Sequence, residues 1–166
     1  MKIWFITGAS SGFGKALAEA VLARGDSAVL TARRLEPLQA IAAAHGGRAL
    51  ALQLDVTDAA ARKQALQAAI ERFGRLDVLA NIAGAGAYGA LEEFTSAQIR
   101  ANLELNFFAA AELSREVLPQ MRAQRSGHIL NLTSIAGLVA FPGNGLYCAS
   151  KFALEGFTEA LHHEVK

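Results

Sequence analysis

Short apolar runs alternate along this chain with longer segments of helical period, and this alternation constrains the fold more than any other feature of the sequence. The runs are apolar nearly from end to end, as strands buried on both faces must be. Such runs, separated by helical segments, are typical of a parallel sheet covered by helices. The sequence therefore predicts an α/β fold with five strands, at residues 3–7, 28–32, 49–54, 78–82 and 129–133.

The helical segments determine how the strands are connected. They are predicted at residues 14–24, 35–45, 58–73 and 96–123, and a last one begins near Tyr147 and is still periodic at Lys166. Right-handed crossovers then place the strands in the order 3-2-1-4-5, which is a doubly wound parallel sheet. Because no repeat, charge block or linker interrupts the pattern, residues 1–166 are expected to form a single domain.

Charge and cysteine content exclude several classes of partner. The chain has 16 Lys and Arg against 15 Asp and Glu, so no basic face for a nucleic-acid backbone is expected. The single cysteine, Cys148, cannot form an internal disulfide or a multi-cysteine metal site, and no metal centre is predicted. The apolar start of the chain is too short for a signal peptide or a membrane span. We therefore expect a soluble, cytoplasmic protein that binds neither nucleic acid nor membrane.

A glycine-rich turn directly follows the first predicted strand and leads into a helix. Its glycines let the backbone turn sharply and approach a pyrophosphate, whose charge suits the free N–H groups of a helix N-terminus. The serine hydroxyls of the turn add further donors to phosphate oxygens. The alternative is an ordinary turn whose glycines bind nothing. The predicted cofactor contacts in this turn, which reads Thr-Gly-Ala-Ser-Ser-Gly-Phe-Gly, are Gly8, Ser10, Ser11, Gly12, Phe13 and Gly14.

A second group of residues has the spacing of an acid/base site. Tyr147 precedes Lys151 by four residues, which places both side chains on one face of a helix, and Ser134 follows the fifth predicted strand. A lysine ammonium beside a phenol stabilises the phenolate and lowers the tyrosine pKa from its ordinary value of about 10. Such a tyrosine can act as general acid or base, while Ser134 holds a substrate oxygen. Taken singly, each residue also has an ordinary structural interpretation.

The glycine turn, Ser134 and the Tyr147-x-x-x-Lys151 pair together resemble the short-chain dehydrogenase/reductase family, whose members bind NAD or NADP on a Rossmann-like sheet. The resemblance covers essentially all 166 residues. It implies an oxidoreductase that transfers a hydride between the cofactor and a carbonyl or secondary alcohol, with Tyr147 as general acid or base. In this scheme Lys151 also holds the nicotinamide ribose. The alternative function is a cofactor-binding module without turnover, used for redox sensing or interaction.

The family also has an Asn in the long central helix, which completes a catalytic tetrad by holding a water that connects the lysine with solvent. Asn102 and Asn106 are both candidates. The family pattern places a Leu-Pro pair 12 and 13 residues after this Asn, and Leu118-Pro119 lies at that distance from Asn106. The resemblance therefore implies that Asn106 joins the serine, tyrosine and lysine, and that Asn102 is a surface amide.

Further cofactor contacts are implied at the ends of the middle strands. Asp55, followed by Val56, resembles the family's adenine contact, although Asp55 could equally cap the next helix, a role for which Asp58 competes. The family's NNAG element appears after the fourth strand with Ile in place of its second Asn. Its amide is expected to tie adjacent strands, and its glycine is expected to leave room for the dinucleotide. The implied contacts in this element are Asn81, Ala83 and Gly84, in addition to Tyr147 and Lys151.

The residues after the second strand indicate which cofactor is used. An acidic residue at this point would bind the adenosine ribose hydroxyls of NAD, but the sequence has Arg33 and Arg34. A guanidinium can bind a 2′-phosphate through two hydrogen bonds. NADP(H) is therefore favoured, with Arg33 as its contact, and NAD(H) is the alternative cofactor. The other interpretation is that the two arginines belong to a solvated loop.

The same resemblance implies how far the catalytic domain extends and how copies of it associate. Relatives continue beyond the last helix with at least one more strand and a segment that covers the substrate, so residues 1–166 are expected to be a catalytic domain that is incomplete at its C-terminus. Family members usually pair through two long helices, which correspond here to residues 96–123 and the helix from Tyr147. We therefore expect a homodimer or homotetramer that acts on a small-molecule carbonyl or alcohol.

Overall fold

Five strands form one sheet in the order β3-β2-β1-β4-β5 in the computed structural model, which describes residues 1–166. The pairs that β1 makes with β2 and β4, and that β2 makes with β3, are parallel. The order is the predicted one, and the α/β fold with a doubly wound parallel sheet is confirmed. The strands are β1 (Ile3–Thr7), β2 (Ser27–Ala32), β3 (Ala49–Gln53), β4 (Val78–Asn81) and β5 (His128–Asn131).

Burial separates the central strands from the edges. Every residue of β1, β2 and β4 is buried, as the apolar runs predicted. The edge strands β3 and β5 are only partly buried. The expectation that all five strands are buried on both faces is therefore wrong for these two, because an edge strand has a neighbouring strand on one side only.

The long helix predicted at residues 96–123 is interrupted. It consists of a first helix, a π-helical turn at Glu104–Phe108 and a second helix that contains Pro119. The last helix ends at Glu164, although the sequence indicated a pattern running to Lys166. None of the helices combines the length and hydropathy that a membrane span requires. The helices are α1 (Gly12–Ala23), α2 (Glu36–Ala43), α3 (Ala59–Phe73), α4 (Ser96–Leu103), α5 (Ala109–Gln124) and α6 (Gly145–Glu164).

Two buried carboxylates hold the amino-terminal end of β1. Asp26 accepts hydrogen bonds from the Lys2 backbone N–H at 2.8 Å and from the indole of Trp4 at 3.1 Å. Asp77 accepts from the backbone N–H of Ile3 at 2.8 Å. The bond from Lys2 contributes most to lowering the pKa of Asp26 to about 2, so this carboxylate is charged at neutral pH. The two carboxylates therefore hold the amino-terminal end of β1 in place.

Contacts within the chain define two compact units. The first consists of residues 1–83 and 113–130, and contains the glycine turn and most of the sheet. The second consists of residues 84–112 and 131–166, and contains Asn106, Ser134, Tyr147 and Lys151. The expectation of a single domain stays a prediction.

Candidate active site

The glycine turn of the first unit depends on residues without a side chain. Gly8 has a φ of +67° and Gly12 a φ of +53°, a backbone region that favours glycine. A Cβ on Gly8 would lie 3.0 Å from the backbone N of Ala83, and a Cβ on Gly14 would lie 2.3 Å from the Gly8 carbonyl oxygen. The first turn of α1 therefore packs directly on the backbone that precedes it.

The N-terminus of α1 is open to an anion. Ser11 is the residue that precedes the helix, but its side chain makes no capping hydrogen bond. Ser11 is exposed, Ser10 is half-buried, and Phe13 is 77% exposed. Backbone N–H groups at a helix N-terminus that no side chain caps suit a phosphate. The residues present therefore fit the pyrophosphate of a dinucleotide.

Thr7 connects this turn with the end of β4, and the sequence analysis missed this role. Its hydroxyl accepts hydrogen bonds from the backbone N–H groups of Ile82 and Ala83, at 2.9 and 3.0 Å. Asn81, expected to tie adjacent strands, donates to the hydroxyl of Ser114 on α5 at 3.4 Å. The sequence signal for the role of Thr7 was its position as a hydroxyl residue at the end of a fully buried strand, immediately before a glycine.

Asp55 and Asp58 have separate roles in the segment after β3. Asp58 caps α3 by accepting from the N–H groups of Ala60 and Ala61. Asp55 accepts from both the backbone and the hydroxyl of Thr57, at 3.0 and 2.8 Å, and these bonds lower its pKa. The charge of Arg33, which is exposed after β2, lowers the Asp55 pKa further. The capping alternative thus falls to Asp58, and Asp55 and Arg33 come close enough to interact.

Asn106 of the second unit is buried in the π-helical turn, with only 2% of it exposed. Its Oδ1 accepts from the backbone N–H of Ala85 at 2.9 Å, and its Nδ2 donates to the carbonyl of Ala85 at 2.8 Å and to Ser150 at 3.2 Å. Asn102 donates to the same carbonyl at 3.4 Å. Asn102, expected to be a surface amide, is half-buried and shares this carbonyl with Asn106.

Gly84 makes room for this amide. A Cβ on Gly84 would lie 2.9 Å from Asn106 Oδ1 and 3.7 Å from Lys151 Nζ. From the sequence, Gly84 is expected to leave room for the dinucleotide. In the structure, the space is filled by residues of the second unit itself, so that Gly84, Asn106 and Lys151 form one packed group.

Lys151 lies on α6 with 5% of the residue exposed. Its ammonium donates to the Leu132 carbonyl at 2.7 Å and lies 5.7 Å from the centroid of the Tyr147 ring. Burial lowers the pKa of this lysine, because removal from water disfavours the charged form. The predicted spacing of four residues thus brings a partly desolvated cation beside the tyrosine.

Ser134 was expected to follow directly on the fifth strand, but β5 ends at Asn131, three residues earlier. The carbonyl of Leu132, the next residue, accepts from Lys151. Ser134 instead precedes the short 3₁₀ turn Ile135–Gly137, and its hydroxyl accepts from the N–H of Ala136 at 3.2 Å. A Cβ on Gly137 would lie 3.0 Å from the Lys151 carbonyl, so this turn packs on α6.

Sequence comparison assigns a family to this arrangement. A family model described as short chain dehydrogenase matches residues 2–166. The chain belongs to the short-chain dehydrogenase family. A 3-ketodihydrosphingosine reductase from Bacteroides thetaiotaomicron is 42% identical over 164 residues, which are 99% of this chain and 58% of that protein.

Solved structures of the family agree with the fold. A short-chain dehydrogenase from Streptomyces avermitilis matches with a TM-score of 0.96 and 46% identity, over 99% of this chain and 62% of that one. A short-chain dehydrogenase/reductase from Burkholderia phymatum, solved in complex with NAD, matches with a TM-score of 0.94 and 35% identity, over 98% and 59% of the two chains. The chain spans about 60% of the length of the curated relatives it matches.

Replacing Gly14 tests the packing of the glycine turn. We expect Gly14→Ala to lower the free energy of unfolding by about 1–3 kcal/mol, because its Cβ would meet a backbone oxygen that cannot move aside cheaply. The matched control is Gly156→Ala in α6, where a Cβ meets nothing within 4 Å. There the substitution should raise the same free energy by about 0.5–1 kcal/mol. Urea unfolding measures both, and equal stability of the two variants would contradict the packing described.

Proposed function

We propose that the protein is an NADP-dependent oxidoreductase acting on a carbonyl or secondary alcohol. The observation that carries the proposal is the buried Lys151 ammonium, 5.7 Å from the Tyr147 ring. Members of the family have been solved with NAD and with an NADP derivative, which supports a nicotinamide cofactor. When bound, NADPH supplies the hydride.

Residues of the second unit transfer the proton to and from the substrate oxygen. In reduction, Ser134 donates a hydrogen bond to the carbonyl oxygen and Tyr147 protonates that oxygen; in oxidation, Tyr147 is the base. Lys151 places positive charge beside the tyrosine where the phenolate forms. Asn106 holds a water that connects Lys151 with solvent, and both side chains border the space that Gly84 leaves open. Because the scheme needs the glycine turn as well, we propose that residues 1–166 act as parts of one catalytic domain.

The adenosine end of the cofactor is assigned to the first unit. The turn from Gly8 to Gly14 holds the pyrophosphate, and the Asp55 carboxylate accepts from the adenine amine, with Val56 beside it. Asn81 and Ala83, at the carboxyl end of β4, are further contacts of the cofactor. Arg33 binds the 2′-phosphate, which explains why no acidic residue follows β2.

We propose that the protein is located in the cytoplasm. Its single cysteine, Cys148, is buried and forms no disulfide, which suits a reducing compartment.

Tyr147→Phe tests the chemistry. The ring stays but the transferable proton is lost, so kcat should fall by about 10²–10⁴-fold while the NADPH dissociation constant changes little. The control is Tyr88→Phe, which removes the hydroxyl of the other tyrosine, 78% exposed. Turnover is followed as loss of NADPH absorbance with a panel of ketones. Undiminished turnover in Tyr147→Phe would remove the residue from the mechanism, whereas a wild type that binds NADPH without any turnover would favour the cofactor-binding module.

Arg33→Ala tests the choice of cofactor. Loss of a charge-assisted bond to phosphate should weaken NADPH binding by about tenfold or more and leave NADH binding unchanged. Arg34→Ala, at the next exposed position, is the matched control and should affect neither. Dissociation constants from fluorescence titration decide between the two cofactors. Tighter binding of NADH than NADPH by the wild type would overturn the assignment.

We also propose that two or four copies associate through the long helices. Phe108, in the π-helical turn before α5, and Phe152, on α6, are 46% and 45% exposed. The double variant Phe108→Glu/Phe152→Glu should therefore lower the mass measured by analytical ultracentrifugation to that of one chain. Leu91→Glu, at a position 67% exposed in the turn Leu91–Glu93, is the control and should leave the assembly intact. A monomeric wild type would contradict the proposal.

A further inference from the structure

The first unit contains a buried ion pair that the scheme above does not use. Arg62 on α3 and Glu116 on α5 have side chains that are 4% and 8% exposed, and Arg62 Nε lies 3.8 Å from Glu116 Oε1. Taking two charges out of water is costly, and well-packed apolar residues often replace such a pair without loss of stability. A pair of this kind therefore calls for a role beyond holding two helices together.

Arg62 reaches past α3 to the segment that connects this helix with β3. Its Nη1 donates to the carbonyl of Val56 at 2.8 Å, where Val56 is 6% exposed. Its backbone N–H donates to the carbonyl of Asp58 at 3.0 Å, and the N–H of Asp58 donates to the carbonyl of Asp55 at 3.1 Å. Side chain and backbone of one arginine thus close the same turn.

This turn determines where the Asp55 carboxylate points. Asp55 and Thr57 flank Val56, and both hydrogen bonds from Thr57 go to Asp55 Oδ1. If the Val56 carbonyl were released, the peptide units on both sides of it could rotate, and the carboxylate would lose its orientation. The buried carbonyl would also lack the partner that compensates its desolvation.

We propose that the Arg62–Glu116 pair is a positioning device for the adenosine end of the cofactor: Glu116 orients Arg62, and Arg62 holds the turn that presents Asp55 to adenine. This inference rests on the proposed function. A guanidinium suits the task because its planar set of donors can bond a carbonyl while facing a carboxylate, whereas lysine provides only a point charge. Arg115, 3.9 Å from the same carboxylate, is 67% exposed and reaches it from the solvent side.

The experiment compares variants that differ in how much of this pair they keep. Arg62→Met removes the charge and the donors, Arg62→Lys keeps the charge, and Glu116→Gln removes the opposing charge. Arg72→Met is the matched control, since Arg72 lies on the same helix and donates to the Gly47 carbonyl at 2.7 Å. The probes are 2′,5′-ADP, which carries the adenosine end, and reduced nicotinamide mononucleotide, which lacks it. Calorimetric titration is carried out below each variant's unfolding temperature.

Arg62→Met should weaken 2′,5′-ADP binding by about tenfold, Arg62→Lys and Glu116→Gln by less, and Arg72→Met not at all. Binding of the mononucleotide and kcat at saturating NADPH should be unchanged in all four, while KM for NADPH should rise in the first three. A merely structural pair would lower the unfolding temperature without changing this selectivity, and that result in folded variants would overturn the inference. If Arg62→Met does not fold, the other two variants decide the question.

A wild type that fails to bind 2′,5′-ADP would overturn the proposed function itself and this inference with it. Wild-type binding combined with unchanged binding in Arg62→Lys and Glu116→Gln would overturn only the role of the pair. The two failures are therefore distinguishable in one set of titrations.

Discussion

The second unit depends on one hydrogen bond, from the buried Lys151 ammonium to the Leu132 carbonyl at 2.7 Å. A charge with so little exposure must be solvated by the protein, and this carbonyl takes the place of water. The bond joins α6 to the segment just after β5 and holds the ammonium beside Tyr147. The position of Lys151 beside Tyr147 is thus set by the need to satisfy a buried cation, in addition to the four-residue helical spacing.

The surroundings of that cation are built from backbone groups and small residues. The Asn106 amide forms hydrogen bonds with both the N–H and the carbonyl of Ala85. Gly84 has no side chain that would displace this amide. The π-helical turn belongs to the same arrangement, because the extra residue per turn changes the direction of the side chains at that point. These contacts pair both polar atoms of the Asn106 amide beside the buried Lys151 ammonium.

The sequence predicted the fold well, because apolar runs and crossover handedness determine strand order without any knowledge of side-chain contacts. It also singled out the glycines of the first turn and the Tyr147 and Lys151 spacing. It missed the early end of β5, the half-buried position of Asn102 and the role of Thr7. The contacts of Thr7 with Ile82 and Ala83, and of Asn102 with Ala85, join residues far apart in the chain, and local patterns carry no information about such partners.

Two buried cations hold carbonyls just beyond strand ends, Lys151 after β5 and Arg62 after β3. The choice of residue follows the chemistry that each position requires. Arginine stays protonated at any accessible pH, so a buried arginine needs a counter-charge, which Glu116 provides, and it can hold a static turn. Burial lowers the pKa of Lys151, because removal from water disfavours the charged form, and the Leu132 carbonyl offsets part of that cost. Lysine provides a compact charge that one carbonyl can solvate beside Tyr147, whereas the planar guanidinium of Arg62 can bond the Val56 carbonyl while facing Glu116.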